Sequence, residues 1–266
     1  MSVIEPSSAF RAAPESAVPM KFGDALRHRL SLLRGTQPDD AHTPPLRYFF
    51  AELLSFSEPL TRPFRDAPVI KEATTPCVVI LLPGFATGPN RMRYMANQLE
   101  RAGHTVKRWG MGHNLGVKAD IIDNLSARVC DVHERYGQKV VLIGWSMGGV
   151  FAREVAKVVP EHVDKVISMG SPFSHSPYSN NFWRPYQVVA GHSVEAPPID
   201  ADTRTKPPVE TVAFWSPRDG VISRRAASGL PHERDRALAL RCSHLMFPND
   251  AECIEALARE LEAPGT

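Results

Sequence analysis

Between Cys77 and Met169 four short runs rich in apolar and β-branched residues are separated by three longer stretches of helical period. Residues 77–82 (CVVILL), 104–109 (HTVKRW), 139–143 (KVVLI) and 163–169 (VDKVISM) read as strands. In the first interval Met92, Met95, Ala96 and Leu99 recur at helical spacing and predict a helix over 91–102, stopped by Gly103. In the second, Ile121, Ile122, Leu125, Val129 and Val132 predict a helix over 118–136, stopped by Gly137. A third helix is expected over 147–159. Strands joined by helices of this length pair in parallel through crossovers. The expectation is therefore an α/β fold, a mostly parallel central sheet with helices on both faces.

Proline marks where this regularity ends. None of the 24 prolines falls between residues 90 and 159, whereas twelve precede residue 90 and nine fall between 160 and 217. Residues 172–207 interleave prolines with Phe173, Tyr178, Phe182, Trp183 and Tyr186, and read as an irregular insertion, the kind of long loop that carries function. The pattern resumes with strands at 209–215 and 237–241 and a closing helix near 250–261. Residues 76–262 thus form the expected domain, with residues 1–75 as an N-terminal arm. In that arm Phe22, Leu26, Leu30 and Leu33 form an apolar stripe beside Arg27, Arg29 and Arg34, and 46–54 is nearly all apolar. The stripe suits packing on the domain or a second subunit, or peripheral contact with a membrane surface.

Composition closes off other classes. With 31 Lys and Arg against 29 Asp and Glu, the net charge of +2 offers no broad footprint for nucleic acid. No run approaches the length of a membrane-spanning helix, and the first twenty residues lack the apolar stretch of a secretory signal, so a cytoplasmic location is expected. Cys77, Cys130, Cys242 and Cys253 show no metal-ligand spacing and read as buried thiols, although Cys242 and Cys253 could pair if the chain is exported.

The chemistry concentrates in Gly144-Trp145-Ser146-Met147-Gly148, a G-x-S-x-G between a predicted strand and a predicted helix. At such a junction a sharp turn lifts the serine hydroxyl above the carboxyl edge of the sheet, and the glycines let backbone segments crowd together around it. A serine hydroxyl needs a positioned base. His244, on the loop between the last strand and the last helix, reaches the same edge, while His232 precedes that strand and belongs at the opposite one. The base needs a carboxylate to fix its tautomer. Asp219 follows the strand 209–215 at the right edge; Asp200 and Asp202 lie in the insertion, and Glu210 opens the strand at the wrong edge. For a developing oxyanion, backbone N–H groups are expected from Met147, after the nucleophile, and from Phe85, in the loop Pro83-Gly84-Phe85-Ala86 after the first strand.

LLPGF at 81–85, GWSMGG at 144–149, MGSPF at 169–173, RDGVI at 218–222 and SHL at 243–245, in this order, resemble the α/β-hydrolase superfamily and, within it, the lipase and carboxylesterase branch. The resemblance implies Ser146 as nucleophile, His244 as general base and acid, Asp219 as its orienter, Phe85 and Met147 as oxyanion donors, no metal and no organic cofactor. It also places the insertion 172–207 where the family carries a cap, whose aromatic residues suit an apolar acyl group. Trp145 beside the nucleophile, Trp109, His113 and Asn114 after the second strand, and Phe173, Phe182 and Trp183 in the cap are the candidates for lining a substrate pocket. The expected function is hydrolysis of small-molecule carboxylic esters with an apolar acyl part through an acyl-enzyme. An acyltransferase or thioesterase would use the same residues, and a non-catalytic binding protein could keep the same pocket.

Overall fold

The computed structural model describes residues 22–199 and 201–263; Asp200 and the stretch read for a secretory signal lie outside the described residues. Six strands, β1 (Val78–Leu82), β2 (Thr105–Arg108), β3 (Val140–Trp145), β4 (Val163–Met169), β5 (Glu210–Trp215) and β6 (Arg236–Ala239), form a single sheet. Their order is β2-β1-β3-β4-β5-β6, and every neighbouring pair is parallel. The helices, in chain order, are α1 (Phe22–Ser31), α2 (Leu46–Ala51), α3 (Glu58–Thr61), α4 (Arg93–Arg101), α5 (Ile121–Tyr136), α6 (Met147–Val158), α7 (Trp183–Ala190), α8 (Arg224–Ser228) and α9 (Ala251–Glu262).

The unbroken apolar character of β1 and β3 follows from burial on both faces, since alternate side chains enter different layers. Val79, Leu81, Val141 and Ile143 pack with Met95 and Leu99 of α4 and with Ile254 and Leu257 of α9. Val78, Ile80, Val140 and Leu142 pack on the other side with Ile122, Leu125 and Val129 of α5 and with Phe151 and Val155 of α6. The second predicted helix stops where expected: Gly137 takes φ 67°, the left-handed closure that glycine adopts without side-chain cost.

Winding reverses at β1, because the chain lays β2 on one side of it and β3 on the other. Ligands of open α/β sheets bind outside the carboxyl ends of the strands at such a reversal. Register sets those ends level: Leu82 lies opposite Gly144, Trp145 opposite Met169, and Met169 opposite Phe214.

Two expectations need correction. The insertion is not irregular throughout, for it holds α7; Pro185 falls in that helix's first turn, where a missing N–H is no loss. The last strand is 236–239 rather than 237–241, and the chain beyond it serves the site as loop. The arm lies against this insertion: Arg29 of α1 donates to the carbonyls of Val188 and Val189, each at 2.6 Å, and Gln187 of α7 donates to Leu32 O at 2.8 Å. Among the described residues no helix is long and apolar enough to cross a membrane.

Candidate active site

Ser146 joins β3 to α6 with φ 54° and ψ −123°, a left-handed conformation that is rare for a residue with a side chain. Such strain persists only where the surroundings enforce it. Here Ser146 N–H donates to Met169 O at 2.8 Å, and Gly149 N–H donates to Ser146 O at 3.0 Å. The flanking glycines are sterically required. A β-carbon on Gly144 would enter the backbone of Gly148 and Gly149, one on Gly148 would enter the carbonyls of Leu82 and Pro83, and one on Gly149 would meet Ser171 Oγ.

His244 and Asp219 are joined through Nδ1 and Oδ2 at 2.8 Å, and both are buried. The other carboxylate oxygen of Asp219 accepts the N–H groups of Val221 at 2.8 Å and Ile222 at 2.7 Å, which pins it in an Asx-type turn. Trp145 Nε1 donates to His244 O at 3.0 Å and fixes the root of the imidazole. Burial works against the charged imidazolium, but the Asp219 carboxylate, its hydrogen bond and the charge of Glu52 outweigh it, so the His244 pKa is raised. Ser146 and His244 line one cavity of about 730 Å³. Among the described residues no hydrogen bond joins the Ser146 hydroxyl to the imidazole, a link that in unliganded sites often tightens only when substrate binds.

The loop after β1 is held by the loop after β2. Ala86 N–H donates to Asn114 O at 2.7 Å, Asn114 N–H donates to Thr87 O at 2.8 Å, and Asn114 Nδ2 donates to Pro83 O at 2.8 Å. Among the described residues the N–H groups of Phe85 and Met147 have no protein acceptor, the second because the first amides of a helix lack intrahelical partners. The Phe85 ring meets Tyr186 edge-on at 4.9 Å and Phe182 at 6.3 Å, tying this loop to the insertion.

Of the expected pocket residues, Trp145, Phe182 and Trp183 line the cavity. Trp109, His113, Asn114 and Phe173 are not among its lining residues. Trp109 is buried against α5 with its Nε1 donating to Gly112 O at 2.9 Å, and the residue of the loop after β2 that does line the cavity is Val117. Asn114 braces the Pro83 loop, His113 packs beside Gly88, and Phe173 lies under the guanidinium of Arg153 at 4.1 Å. Glu210, at the opposite edge, pairs with Lys165 at 3.3 Å and Arg236 at 2.5 Å. None of the arginines near Asp219 and His244 in sequence, 218, 224, 225, 234, 236 and 241, lines the cavity.

Sequence reasoning missed the contribution of the arm. Phe49, Leu53 and Phe56 form one wall of the cavity, and Glu52 sits behind His244. The available signal was the single acidic residue in the apolar run 46–54. All four cysteines are free; burial pushes the Cys77 thiol up to about 11 and those of Cys242 and Cys253 well above their usual value. Among the described residues no cluster of three or more His, Cys, Asp or Glu is arranged to hold a metal ion.

The family model described as alpha/beta hydrolase fold matches residues 78–189, from β1 through the elbow to α7. No curated protein matches the sequence. Among solved structures, a gene product of Listeria innocua aligns with TM-score 0.52 at 17% identity, over 72% of this chain and 96% of that one. A monoacylglycerol lipase of Paleococcus ferrophilus aligns with TM-score 0.51 at 15% identity, over 74% and 97%. An α/β hydrolase from lagoon-sediment metagenome of Mar Chica, Morocco, aligns with TM-score 0.50 at 18% identity, over 73% and 92%. At these identities the likeness speaks to fold. On the sheet order, the serine elbow and the family match together, this chain is a protein of the α/β-hydrolase fold.

Proposed function

We propose that the chain is a serine hydrolase that cleaves small carboxylic esters with an apolar acyl part through an acyl-enzyme. The observation that carries this reading is the strained Ser146 at the sheet reversal, sharing one cavity with a buried His244–Asp219 pair. In the proposed sequence His244 Nε2 takes the Ser146 proton as Oγ attacks the ester carbonyl. Asp219 holds Nδ1 protonated and stabilises the imidazolium that results. The N–H groups of Phe85 and Met147, without protein acceptors among the described residues, would receive the oxyanion; a donor of this kind contributes about 3 kcal/mol. The imidazolium then protonates the departing alcohol, and water activated by the same nitrogen releases the acid. An apolar acyl group is favoured by a wall of Phe49, Leu53, Phe56, Phe182 and Trp183.

The test is turnover of p-nitrophenyl esters from acetyl to palmitoyl by the native chain and its Ser146→Ala variant. Native turnover that falls by roughly 10⁴-fold or more in the variant is the expected result. Equal rates for both proteins on every ester would sink the reading, and partition of the acyl group to an added alcohol would convert it to acyl transfer. The pH profile carries its own sign. The base works only when neutral, so a raised His244 pKa moves the acid limb of kcat/KM above the ordinary imidazole value of about 6.5, with activity lost as pH falls through it.

A further inference from the structure

Glu52 is the only acidic residue in the run 46–54, and it is turned inward, 4% exposed, while Leu54, two residues on, faces out. Its Oε1 accepts the N–H of Gly220 at 3.0 Å and the N–H of His244 at 2.7 Å; its Oε2 accepts the N–H of Leu245 at 2.9 Å. Gly220 belongs to the loop after β5 that carries Asp219, and His244 and Leu245 belong to the loop after β6. One carboxylate from some 170 to 190 residues earlier in the chain thus bridges both loops within one residue of the Asp219–His244 bond. No cation pairs with it among the described residues, so the three amides are its solvation. Charge-assisted bonds of this kind are about twice as strong as neutral ones, and here they fix main chain rather than side chain.

We propose that Glu52 is a positioning residue of this active site, a clamp that holds the Asp219 loop against the His244 loop and keeps the imidazole in register with Ser146. The kinetic part of this inference rests on the hydrolase reading above; the geometric part does not. Glu52 also acts on His244 through its charge. Burial disfavours the imidazolium, and Asp219 and Glu52 together overcome that. Also around the ring are the apolar faces of Trp145 and Phe247, the backbone of Gly170 and, one residue on, Arg91, whose Nη2 donates to Leu245 O at 2.7 Å.

Glu52→Gln keeps an oxygen for Gly220 and His244, sets an amide N–H against the N–H of Leu245, and removes the charge. Glu52→Ala removes all three bonds. Glu58→Gln is the control, because Glu58 is a buried carboxylate of the same segment that pairs with Arg62 and, among the described residues, has no side-chain hydrogen bond to either loop. The measurements are kcat and KM on the best p-nitrophenyl ester, the pH profile, and the titration of His244 by NMR in isotope-labelled, full-length protein shown to be folded by circular dichroism. We expect kcat to fall about tenfold in Glu52→Gln and about 100-fold in Glu52→Ala, the scale of a small misplacement of a reacting group. KM should stay within about twofold, since a group that acts only on the reacting geometry leaves ground-state binding alone. The NMR midpoint of His244 and the acid limb should both move to lower pH in Glu52→Gln and stay in place in Glu58→Gln. A folded Glu52→Gln with native kcat and an unmoved His244 midpoint overturns the proposal. If Glu52→Ala does not fold, Glu52→Gln decides alone. If the native chain turns over no ester, the hydrolase reading fails, and the His244 midpoint still decides the clamp: lowered supports it, unmoved overturns it.

Discussion

The strand-and-helix block from β1 to β4 and the segment 46–64 are both rich in apolar residues, yet they use them in opposite directions. In the block, Val79, Leu142 and Ile143 are buried to within 1%. In the segment, Leu54 is 74% and Phe64 89% exposed, while the residues turned inward are Glu52, Ser55 and Glu58. The surface beneath explains the inversion. The sheet offers helices an apolar face, whereas the segment lies across loop ends that present spare donors and hydroxyls: the N–H groups of Gly220, His244 and Leu245, and the hydroxyl of Ser243, which is 2.9 Å from Ser55 Oγ. Buried donors left unpaired cost about 1 to 3 kcal/mol each, so polar side chains face in wherever such donors must be covered. Hydrophobic pattern reports a residue's preference; the neighbour decides whether the preference is met.

The sharpest way to break this contrast is at the elbow, where the block has no slack. Gly148→Ala would drive its β-carbon into main chain, 2.8 Å from Pro83 O and closer still to the Leu82 carbonyl. Neither neighbour is a flexible side-chain tip, so we expect a loss of about 3 kcal/mol or more, with ester turnover abolished because the Pro83 loop and Ser146 are pushed apart. Thermal unfolding beside an activity assay checks both. A variant with native melting temperature and turnover would show that β1 and α6 do not approach as closely as described.

The same contrast explains what could be read from the chain. Sheet and helices were legible because their side chains obey a period, and the elbow because its glycines have no substitutes. Asp219 and His244 followed from strand edges alone, and they do meet at 2.8 Å. Glu52 was hidden, since an acidic residue in an apolar run reads as solvent-facing when the covered donors come from residues 220 to 245. Trp109 and Asn114 were misplaced for a related reason. The carboxyl edge was identified correctly for the loop after β2, but Asn114 is drawn onto the Pro83 loop and Trp109 is buried against α5, which leaves Val117 as the residue of that loop on the cavity. Helix α7 escaped notice because its proline sits in the one turn that tolerates it.

The smallest expected effect is the most direct measure of the inversion, because it compares one chemical change in both regions. Leu142→Ala, in β3, removes a side chain 1% exposed and packed between sheet and helices, and should cost about 3 kcal/mol in chemical denaturation. Leu54→Ala removes an identical group 74% exposed and should cost no more than about 0.5 kcal/mol. Both variants are to be unfolded at two protein concentrations well apart. If Leu54→Ala costs as much as Leu142→Ala, and more at the higher concentration, the outer face of the segment is covered in solution by another copy of the chain. The two regions would then obey one rule, with the second core lying between molecules. A cost near zero at both concentrations keeps the contrast as drawn, and leaves the segment's polar hold on the loops after β5 and β6 to Glu52 and Ser55.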